Sequence, residues 1–265
     1  MERATVLEAK SLTIGYGKDA SAIKIAEGVN FALSQGEFAL ILGCNGAGKS
    51  TLLRTLSSVQ HPLWGEVKIC GEDIFETSPR ELAQRVAAVF TDKTMAGGLL
   101  VEEVVALGRY PYTGFFGKMG REDSEVVQLS LSLVGMADKS KKYLSQLSDG
   151  ERQKIMIAKA LAQQTPLIIL DEPTAFLDLP SRIEILYLLK RLTKEENKTI
   201  LLSTHDVEQS LSVADKLLLI KGGEVKFKST TEAIEGGYVE SLFEERGIAF
   251  DKNTGRFIPK LKWKR

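Results

Sequence analysis

Apolar residues along the chain form short continuous runs, and segments of helical periodicity separate these runs. Apolar side chains fill almost every position of EFALILG, PLIILDEP and TILLSTH, a pattern typical of strands that are buried on both faces. Helices are predicted for Leu52 to Ser58, for SRIEILYLLKRLTKEE and for DVEQSLSVAD. Buried strands that alternate with helices indicate an α/β fold with a mostly parallel sheet covered on both sides.

Shorter elements surround these runs. Strands are predicted for VLEAKSLTI, GVNFAL and VAAVF, and glycines punctuate two apparent hairpins, GEVKICGEDI and KLLLIKGGEVKFK. In SPRELAQRVA, Ser78 is a predicted N-cap and Pro79 the first helical residue. Residues 92–146 differ in character, because Gly-rich and aromatic loops such as GRYPYTGFFGKMG alternate with helical segments such as EDSEVVQLSLSLVGM. This stretch is interpreted as a helical insertion into the sheet.

Composition narrows the possible classes. The 265 residues suffice for one large α/β unit or two small domains. The 35 basic and 35 acidic residues balance, which argues against a nucleic-acid partner because such proteins usually carry a basic excess. No apolar run approaches the ~20 residues of a membrane helix, and MERATVLEAK lacks the apolar core of a signal peptide. We therefore expect a cytoplasmic chain whose membrane role, if it has one, comes through a partner.

The segment GCNGAGKS, from Gly43 to Ser50, matches the phosphate-binding pattern G-x-x-x-x-G-K-[ST]. It follows a predicted strand and precedes a predicted helix, as the mechanism requires. Backbone N–H groups of such a loop cradle phosphates, and the helix N-terminus adds the positive end of its dipole. Lys49 is the candidate ligand of the β- and γ-phosphates, and the Ser50 hydroxyl is the candidate Mg²⁺ ligand. The alternative is a Gly-rich turn that binds nothing.

Acidic residues end the strand LIILDE. Asp171 suits the role of holding Mg²⁺ directly or through water, and Glu172 lies where it could polarise an attacking water. Solvated carboxylates at a strand end are the simpler alternative. His205 follows TILLST at the carboxyl end of a strand, where open α/β sheets place their sites, although a structural role is also open. A GTPase is disfavoured because Asn197-Lys198-Thr199 is followed by Ile200 rather than the aspartate of a guanine-specificity motif.

The segment LSDGERQKIMIAKAL predicts a helix with Ser148 as N-cap and Glu151 three residues later, a capping box. The motif order is thus GCNGAGKS, LSDGE, LIILDE, FLD and STH. Together these motifs resemble the nucleotide-binding subunits of ATP-binding cassette (ABC) transporters, and the resemblance spans about Leu7 to Val225. It implies a P-loop NTPase fold of the ABC type, with a mostly parallel core sheet, an antiparallel β subdomain and an inserted helical subdomain.

The resemblance also implies a domain division and a set of site residues. Residues 1–265 would form a single ABC ATPase domain, with 1–91 and 151–235 as the RecA-like core including the antiparallel part, 92–150 as the helical insertion and 236–265 as a C-terminal tail. The cofactors would be ATP and Mg²⁺. The catalytic residues would be Glu172, His205 and Lys49, and the metal ligands Ser50, Asp171 and Thr91. The nucleotide would contact Tyr16, Gly43, Asn45, Gly46, Ala47, Gly48, Lys49, Ser50, Thr51, Ser148, Gly150 and Asp178.

Several of these assignments carry a specific role. Tyr16 would stack on adenine, unless it is a strand-edge tyrosine; base–aromatic stacking is worth ~1–3 kcal/mol in nucleic-acid complexes. Ser148 and the Gly150 backbone would act in trans on ATP held by a second subunit, and Asp178 would link the two sites. Two cassettes would therefore close head-to-tail over two ATP molecules.

Three residues depart from the family pattern. Asp149 replaces a signature glycine. A carboxylate ~8 Å from a phosphate charge is repelled by roughly 0.5 kcal/mol in bulk water and by about 2 kcal/mol at an effective dielectric near 20, which would weaken ATP-driven closure. This repulsion is avoided if Asp149 points outward or pairs with Arg152. Thr91 stands where the family has a glutamine, and Asp92 is a possible substitute. Cys44 lies inside the phosphate loop, where it is either a small filler or a thiol whose modification blocks ATP.

The resemblance also implies partners: integral-membrane permease subunits, a second nucleotide-binding subunit that is expected to be an identical copy, and indirectly a substrate-binding protein. The chain would lie peripherally on the cytoplasmic face of the inner membrane. EEVVALGRYPYTG, the length and the tail resemble importers for iron–siderophore, haem or cobalamin complexes. The aromatics Tyr110, Tyr112, Phe115 and Phe116 suit an interface with the permease or simply pack the insertion. The alternatives are a soluble ABC ATPase of a non-transport process and, more weakly, a catalytically impaired cassette.

Overall fold

The structure is a computed structural model, and it describes residues 3–18, 21–90, 98–114, 117–243, 247–252 and 254–259 of the chain. We number the elements in chain order. The strands are β1 (Thr5–Tyr16), β2 (Ile23–Ser34), β3 (Phe38–Gly43), β4 (Trp64–Ile69), β5 (Glu72–Asp73), β6 (Val86–Val89), β7 (Leu167–Asp171), β8 (Thr199–Ser203), β9 (Lys216–Lys221), β10 (Glu224–Ser229), β11 (Ile248–Asp251) and β12 (Arg256–Pro259). The α-helices are α1 (Lys49–Leu56), α2 (Pro79–Leu82), α3 (Val101–Ala106), α4 (Arg121–Leu133), α5 (Asp149–Ala162), α6 (Leu179–Glu195), α7 (Val207–Leu211), α8 (Thr230–Glu235) and α9 (Tyr238–Ser241).

A six-stranded sheet in the order β10-β9-β3-β8-β7-β6 forms the centre of the fold. All its strand pairs are parallel except β9 with β10, which form an antiparallel hairpin. Every residue of β3 and β8 is buried, which explains why both strands read as unbroken apolar runs. Since β3, β7 and β8 run in the same direction, their carboxyl ends Gly43, Asp171 and Ser203 meet at one edge of the sheet.

Two hydrophobic cores lie on opposite faces of this sheet, because successive side chains of a strand point in opposite directions. Phe38, Leu40 and Leu42 of β3 pack into the core that also contains the buried faces of α3 to α7. Ala39 and Ile41 of the same strand pack into the other core, together with α1 and the second sheet.

That second sheet is antiparallel, has the order β2-β1-β4-β5, and lies over α1. Its strands β1 and β2 pair over most of their length, with several register shifts. The mostly parallel sheet, the antiparallel sheet and the helices that pack against the central sheet confirm the fold class expected from the sequence. The first helix was placed too late by periodicity: α1 begins at Lys49 rather than Leu52, because the three residues before the apolar repeat already form its first turn.

Helices α3, α4 and α5 pack against one another through residues such as Val104, Leu131 and Ile155, all of which are fully buried. Arg109 fixes this packing. Only 3% of its surface is exposed, and its guanidinium donates hydrogen bonds to Asp123 Oδ1 (2.9 Å) and to the carbonyl oxygen of Ala162 (2.8 Å). A buried guanidinium is tolerated because these oxygens replace its hydration.

The segment after β10, in which the sequence showed no interpretable motif, is folded onto the first core. Helices α8 and α9 bury Ala233 and Val239 completely, and the hairpin β11–β12 places Phe250 in the same core. The backbone N–H of Phe257 in this hairpin donates to Glu208 Oε1 of α7 at 2.7 Å. The segment therefore contributes to the core and contacts the helix that directly follows the His205 loop.

Candidate functional site

The loop between β3 and α1 is shaped by glycines. Gly46 and Gly48 have φ angles of 78° and 101°, which L-residues with side chains rarely adopt. A Cβ on Gly48 would lie 2.3 Å from Cγ2 of Ile25, so this position has no room for a side chain. The loop then passes directly into α1, whose first-turn N–H groups have no acceptor within the helix. This geometry is that of an anion-binding helix N-terminus.

The side chain of Lys49 lies within this loop and is 6% exposed. Its Nζ donates to the carbonyl oxygen of Gly43 at 2.9 Å and approaches that of Cys44 at 3.5 Å. Burial lowers the pKa of Lys49 from its ordinary value, while the charges of Glu172 and Asp171 act in the opposite direction. An ammonium that has lost part of its hydration gains more from a phosphate partner than a solvated one.

Asp171 ends β7 beside Ser203, its register partner on β8. The Ser203 hydroxyl, which is fully buried, donates to Asp171 Oδ1. The hydroxyl of Ser50 lies 3.5 Å from the same carboxylate oxygen. Two hard oxygen ligands at this separation fit Mg²⁺, since neighbouring ligands at ~2.0–2.1 Å from an octahedral ion are about 3 Å apart.

Within the described residues, no group of three or more His, Cys, Asp or Glu side chains could hold a metal ion. Ser50 and Asp171 are the described residues that would hold a Mg²⁺ ion, which usually keeps several waters and binds through one or two carboxylates and substrate phosphates. The sequence-predicted ligand Thr91, like Asp92, lies outside the described residues.

Glu172 and His205 face each other at the same edge of the sheet. Nε2 of His205 lies 2.6 Å from Glu172 Oε1. Glu172 has a φ of 50°, an unusual backbone conformation for a glutamate. Its N–H is held by two acceptors on Ser203, the carbonyl oxygen and the hydroxyl, each at 3.1 Å. The strained conformation is therefore supported by β8 and directs the carboxylate beyond the end of β7.

These groups line one open cavity of about 310 Å³. Its lining residues are Tyr16, Ile25, Asn45, Gly46, Gly48, Lys49, Ser50, Thr51, Glu172 and His205. Of the sequence-predicted residues, Gly43 and Ala47 belong to the loop but do not line the cavity. Asp171 does not line it either, but its carboxylate lies 3.5 Å from the Ser50 hydroxyl. The hydroxyl of Tyr16 is 2.7 Å from Thr51 Oγ1, and its ring remains 46% exposed. A flat, accessible ring at the mouth of a phosphate-binding cavity suits stacking on a nucleobase.

Ser148, Gly150 and Asp178 do not line this cavity. Ser148 caps α5 in the predicted capping box: its N–H donates to Glu151 Oε2 at 2.9 Å, and its hydroxyl accepts from the Glu151 N–H. A contact with Lys139 Nζ and the hydrogen bond from the Ser148 N–H lower the pKa of Glu151 to about 2. The first turn of α5 is thus held by a firmly ionised carboxylate.

The α5 terminus lies against the start of α6. A Cβ on Gly150 would meet the Ser181 hydroxyl at 3.1 Å. Asp178 caps α6 by accepting from the Ser181 N–H at 3.2 Å, and hydrogen bonding from Ser181 lowers the pKa of Asp178. Asp149 is largely exposed and lies 3.4 Å from an Arg152 guanidinium nitrogen, the pairing considered from the sequence. Ser148, Gly150 and Asp178 thus form a second cluster, apart from the cavity.

Two residues of the site were not predicted from the sequence: Ile25, which lines the cavity, and Ser203, which lies behind it and holds Asp171 and the Glu172 N–H. Ile25 was not distinguished from other strand residues, because nothing local shows that β2 crosses in front of the phosphate loop. Ser203 had a detectable signal, since it is a polar residue at the end of the apolar run TILLS and directly precedes Thr204 and His205. Cys44 donates from Sγ to the carbonyl oxygen of Leu242 at 3.2 Å, which connects the phosphate loop to the C-terminal segment.

The fold and this site define a P-loop nucleoside-triphosphatase, with a phosphate loop, a Walker-B strand and a glutamate–histidine pair around one cavity. Comparison with known proteins identifies the family. Residues 26–175 match the family model described as ABC transporter, and the chain belongs to this family. It is 34% identical over 251 residues to the ferric enterobactin transport ATP-binding protein FepC of Escherichia coli, covering 94% of this chain and 91% of FepC.

Solved structures agree with this assignment. An inward-facing metal-chelate type ABC transporter superimposes with a TM-score of 0.78 at 29% identity, covering 91% of this chain and 89% of that one. A dimeric ATP-binding cassette in a post-hydrolysis state, bound to ADP and Pi, superimposes with a TM-score of 0.72 at 29% identity, covering 84% of this chain and 98% of that one. The chain is thus the ATP-binding subunit of an ABC transporter. None of its helices, over the described ranges, is sufficiently long and apolar to span a bilayer.

Proposed function

We propose that this chain hydrolyses ATP to drive an ABC importer of iron–siderophore, haem or cobalamin-type complexes. The observation that carries the ATPase part is the 2.6 Å contact between Glu172 and His205 in the cavity that contains the phosphate loop. The similarity to FepC and to the metal-chelate type transporter supports the importer part and its substrate class.

The residues in and around the cavity have different roles in ATP binding and hydrolysis. Backbone N–H groups of Asn45 to Thr51 bind the phosphates, and Lys49 supplies a partly desolvated positive charge. Ser50 and Asp171 would hold Mg²⁺, which would neutralise phosphate charge. The Glu172 carboxylate accepts a hydrogen bond from the attacking water and polarises it, while His205 orients Glu172 and the terminal phosphate. Tyr16 stacks on the adenine.

A second copy of the chain completes each site. The capped N-terminus of α5, with Ser148 and Gly150, lies apart from the cavity of its own subunit and offers an anion-binding helix end to ATP held by the other. Asp178 lies beside it at the start of α6. The similar post-hydrolysis cassette is dimeric, which supports the pairing of two copies. One ATP would thus contact two subunits, so closure of the dimer depends on nucleotide.

A surface groove is the proposed permease contact. It has a volume of about 450 Å³ and lies between α2 and residues 110–114 of the insertion. Arg80 fixes its walls by donating to the carbonyl oxygens of Pro111 (3.0 Å) and Thr113 (3.3 Å). Tyr110 is 72% exposed beside it, and large exposed aromatics are enriched at interfaces. Docking there would hold the chain peripherally on the cytoplasmic face of the membrane, with the binding protein an indirect partner.

Co-purification from gently solubilised native membranes tests this proposal, with Tyr110→Ser compared against Tyr187→Ser. Tyr187 is similarly exposed, at 66%, but lies on α6. Recovery of a many-helix permease with the wild type and Tyr187→Ser, and its loss with Tyr110→Ser, is expected. If no membrane protein is recovered, the chain belongs to a soluble ABC ATPase instead. If Tyr110→Ser retains the permease, the groove assignment is wrong.

A further inference from the structure

We propose that Asp206 is a positioning residue that sets the geometry of the Glu172–His205 pair and connects it to the loop of Asp178. The proposal rests on the proposed ATPase function of that pair. Asp206 does not line the cavity and is adjacent to His205 in the chain, so it can act on the reaction only through its neighbours.

The carboxylate of Asp206 accepts two hydrogen bonds from two different parts of the chain, the turn after Glu172 and helix α6. Its Oδ2 accepts from the Thr174 hydroxyl at 2.7 Å, and its Oδ1 accepts from an Arg182 guanidinium nitrogen at 2.7 Å. Thr174 lies two residues after Glu172 and is only 1% exposed. The first bond therefore fixes the turn after Glu172 to the loop that carries His205.

The second bond extends the connection to α6. Nε of Arg182 donates to the carbonyl oxygen of Leu177 at 2.7 Å, so one guanidinium holds both Asp206 and the residue before Asp178. A planar guanidinium with donors in fixed directions suits this double contact, and a lysine could not reproduce it. The backbone N–H of Asp206 also donates to Thr204 Oγ1 at 3.0 Å, which closes the loop around His205.

These contacts fix the relative positions of three loops: the turn after Glu172, the loop that carries His205 and the loop before Asp178. The backbone at this edge of the sheet is strained. Glu172 has a positive φ, and the Ser203 contacts hold its N–H from β8. The turn that follows Glu172 is held from the His205 loop at Thr174, whose hydroxyl donates to Asp206. A displacement of about 1 Å in a positioned catalytic group can reduce the rate up to 10²-fold, so loss of this support should appear in turnover.

The first test compares Thr174→Val with Thr174→Ser. Valine keeps the shape but removes the hydroxyl that Asp206 accepts from, whereas serine keeps the hydroxyl and loses a methyl group. We expect Thr174→Val to lower kcat about tenfold, which corresponds to ~1.4 kcal/mol of barrier. The KM for ATP should change less than about twofold, because the phosphate loop is untouched. Thr174→Ser should retain wild-type kcat. Equal kcat values for the two variants would overturn the proposal.

The second test compares Asp206→Asn with Asp123→Asn. Both carboxylates pair with an arginine and are similarly buried, with side-chain exposures of 16% and 15%, but Asp123 lies in the helical insertion. Both variants should lower the melting temperature, whereas only Asp206→Asn should lower kcat at unchanged KM. A fall in kcat of the same size in both variants would show that Asp206 acts only through stability.

Glu172→Gln separates failure of this inference from failure of the proposed function. If Glu172→Gln abolishes turnover while Thr174→Val and Asp206→Asn remain fully active, the positioning role is wrong and the ATPase assignment stands. If Glu172→Gln hydrolyses ATP at the wild-type rate, the assignment of Glu172 fails, and the positioning proposal fails with it.

Discussion

Replacing Gly48 by alanine tests the geometry of the phosphate loop most quantitatively. The residue has a φ of 101°, and left-handed backbone costs an L-residue roughly 1–2 kcal/mol. The new Cβ would lie 2.3 Å from Ile25 Cγ2, so about 1.2–1.7 Å of movement is needed to reach an ordinary carbon–carbon contact. Overpacking of this kind typically costs ~1–3 kcal/mol.

The mutant loop is expected to relax into a less strained conformation that no longer directs its N–H groups at the phosphates. ATP binding must then restore the original conformation, at a cost of about 2 kcal/mol or more. At 1.4 kcal/mol per tenfold change, the Kd for ATP should rise at least about 30-fold. Titration with a fluorescent ATP analogue measures this Kd, and a melting curve without nucleotide shows whether the fold persists.

Two variants separate the strain from the clash. Gly46 also has a positive φ, 78°, but open space around it, so Gly46→Ala should weaken ATP binding less than Gly48→Ala does. Ile25→Ala removes Cγ2, so it should partly restore ATP affinity when it is added to Gly48→Ala. The same substitution in the wild type is the control, because its own effect on ATP affinity must be subtracted. Wild-type affinity in Gly48→Ala, or no rescue by Ile25→Ala, would refute the reasoning.

Four further substitutions have defined outcomes. In the folded protein the pKa of Glu151 falls from 4.5 to about 2, so the stabilisation that its carboxylate provides is present above pH 4.5 and is lost as the pH falls toward 2. Glu151→Gln should remove this pH-dependent stabilisation, which is about 1 kcal/mol after solvent screening, and so flatten the plot of melting temperature against pH in that window. An unchanged profile would contradict this role of Glu151. Phe250→Ala should cost ~3–5 kcal/mol in urea unfolding because the ring is 5% exposed, and a loss below 1 kcal/mol would show that the C-terminal hairpin is not part of the cooperative core. Arg109→Met should lower the free energy of unfolding in urea by ~3–5 kcal/mol, because it leaves the buried oxygen acceptors of Asp123 and Ala162 unpaired. A neutral effect would show that Arg109 does not stabilise the packing of the insertion. Asp149→Gly should strengthen ATP-driven dimerisation only about twofold, because the Asp149 carboxylate is exposed and paired with Arg152. Analytical ultracentrifugation measures this change, and a change above tenfold would show that the carboxylate faces the nucleotide.

Much of the core fold could be predicted because its signals are local. The unbroken apolar runs of β3, β7 and β8 follow directly from burial on both faces of a parallel sheet. The caps at Ser78 and Ser148 are also local, since the capping glutamate lies three residues away in each case, and both capping boxes are present. The position of the phosphate loop between a strand and a helix required only these elements and the motif itself.

Other features depend on contacts between distant parts of the chain, which local pattern cannot specify. Ile25 reaches Gly48 because β2 turns back and pairs antiparallel with β1, and Leu242 contacts Cys44 although the two residues lie 198 positions apart in the sequence. The C-terminal segment was not interpretable because its helices are short and its buried residues, such as Val239 and Phe250, follow no long periodicity. Asp206 had no motif of its own, and its two partners are visible only in three dimensions.

Complementation between inactive subunits tests whether one ATP site is built from two copies of the chain. Lys49→Ala removes the phosphate-loop charge, and Ser148→Arg blocks the α5 terminus, so each variant alone should hydrolyse ATP poorly. A mixture forms dimers in which the intact phosphate loop of one subunit faces the intact α5 terminus of the other. The mixture is expected to recover ATPase activity that neither variant has alone. A mixture no more active than its parents would contradict the shared site.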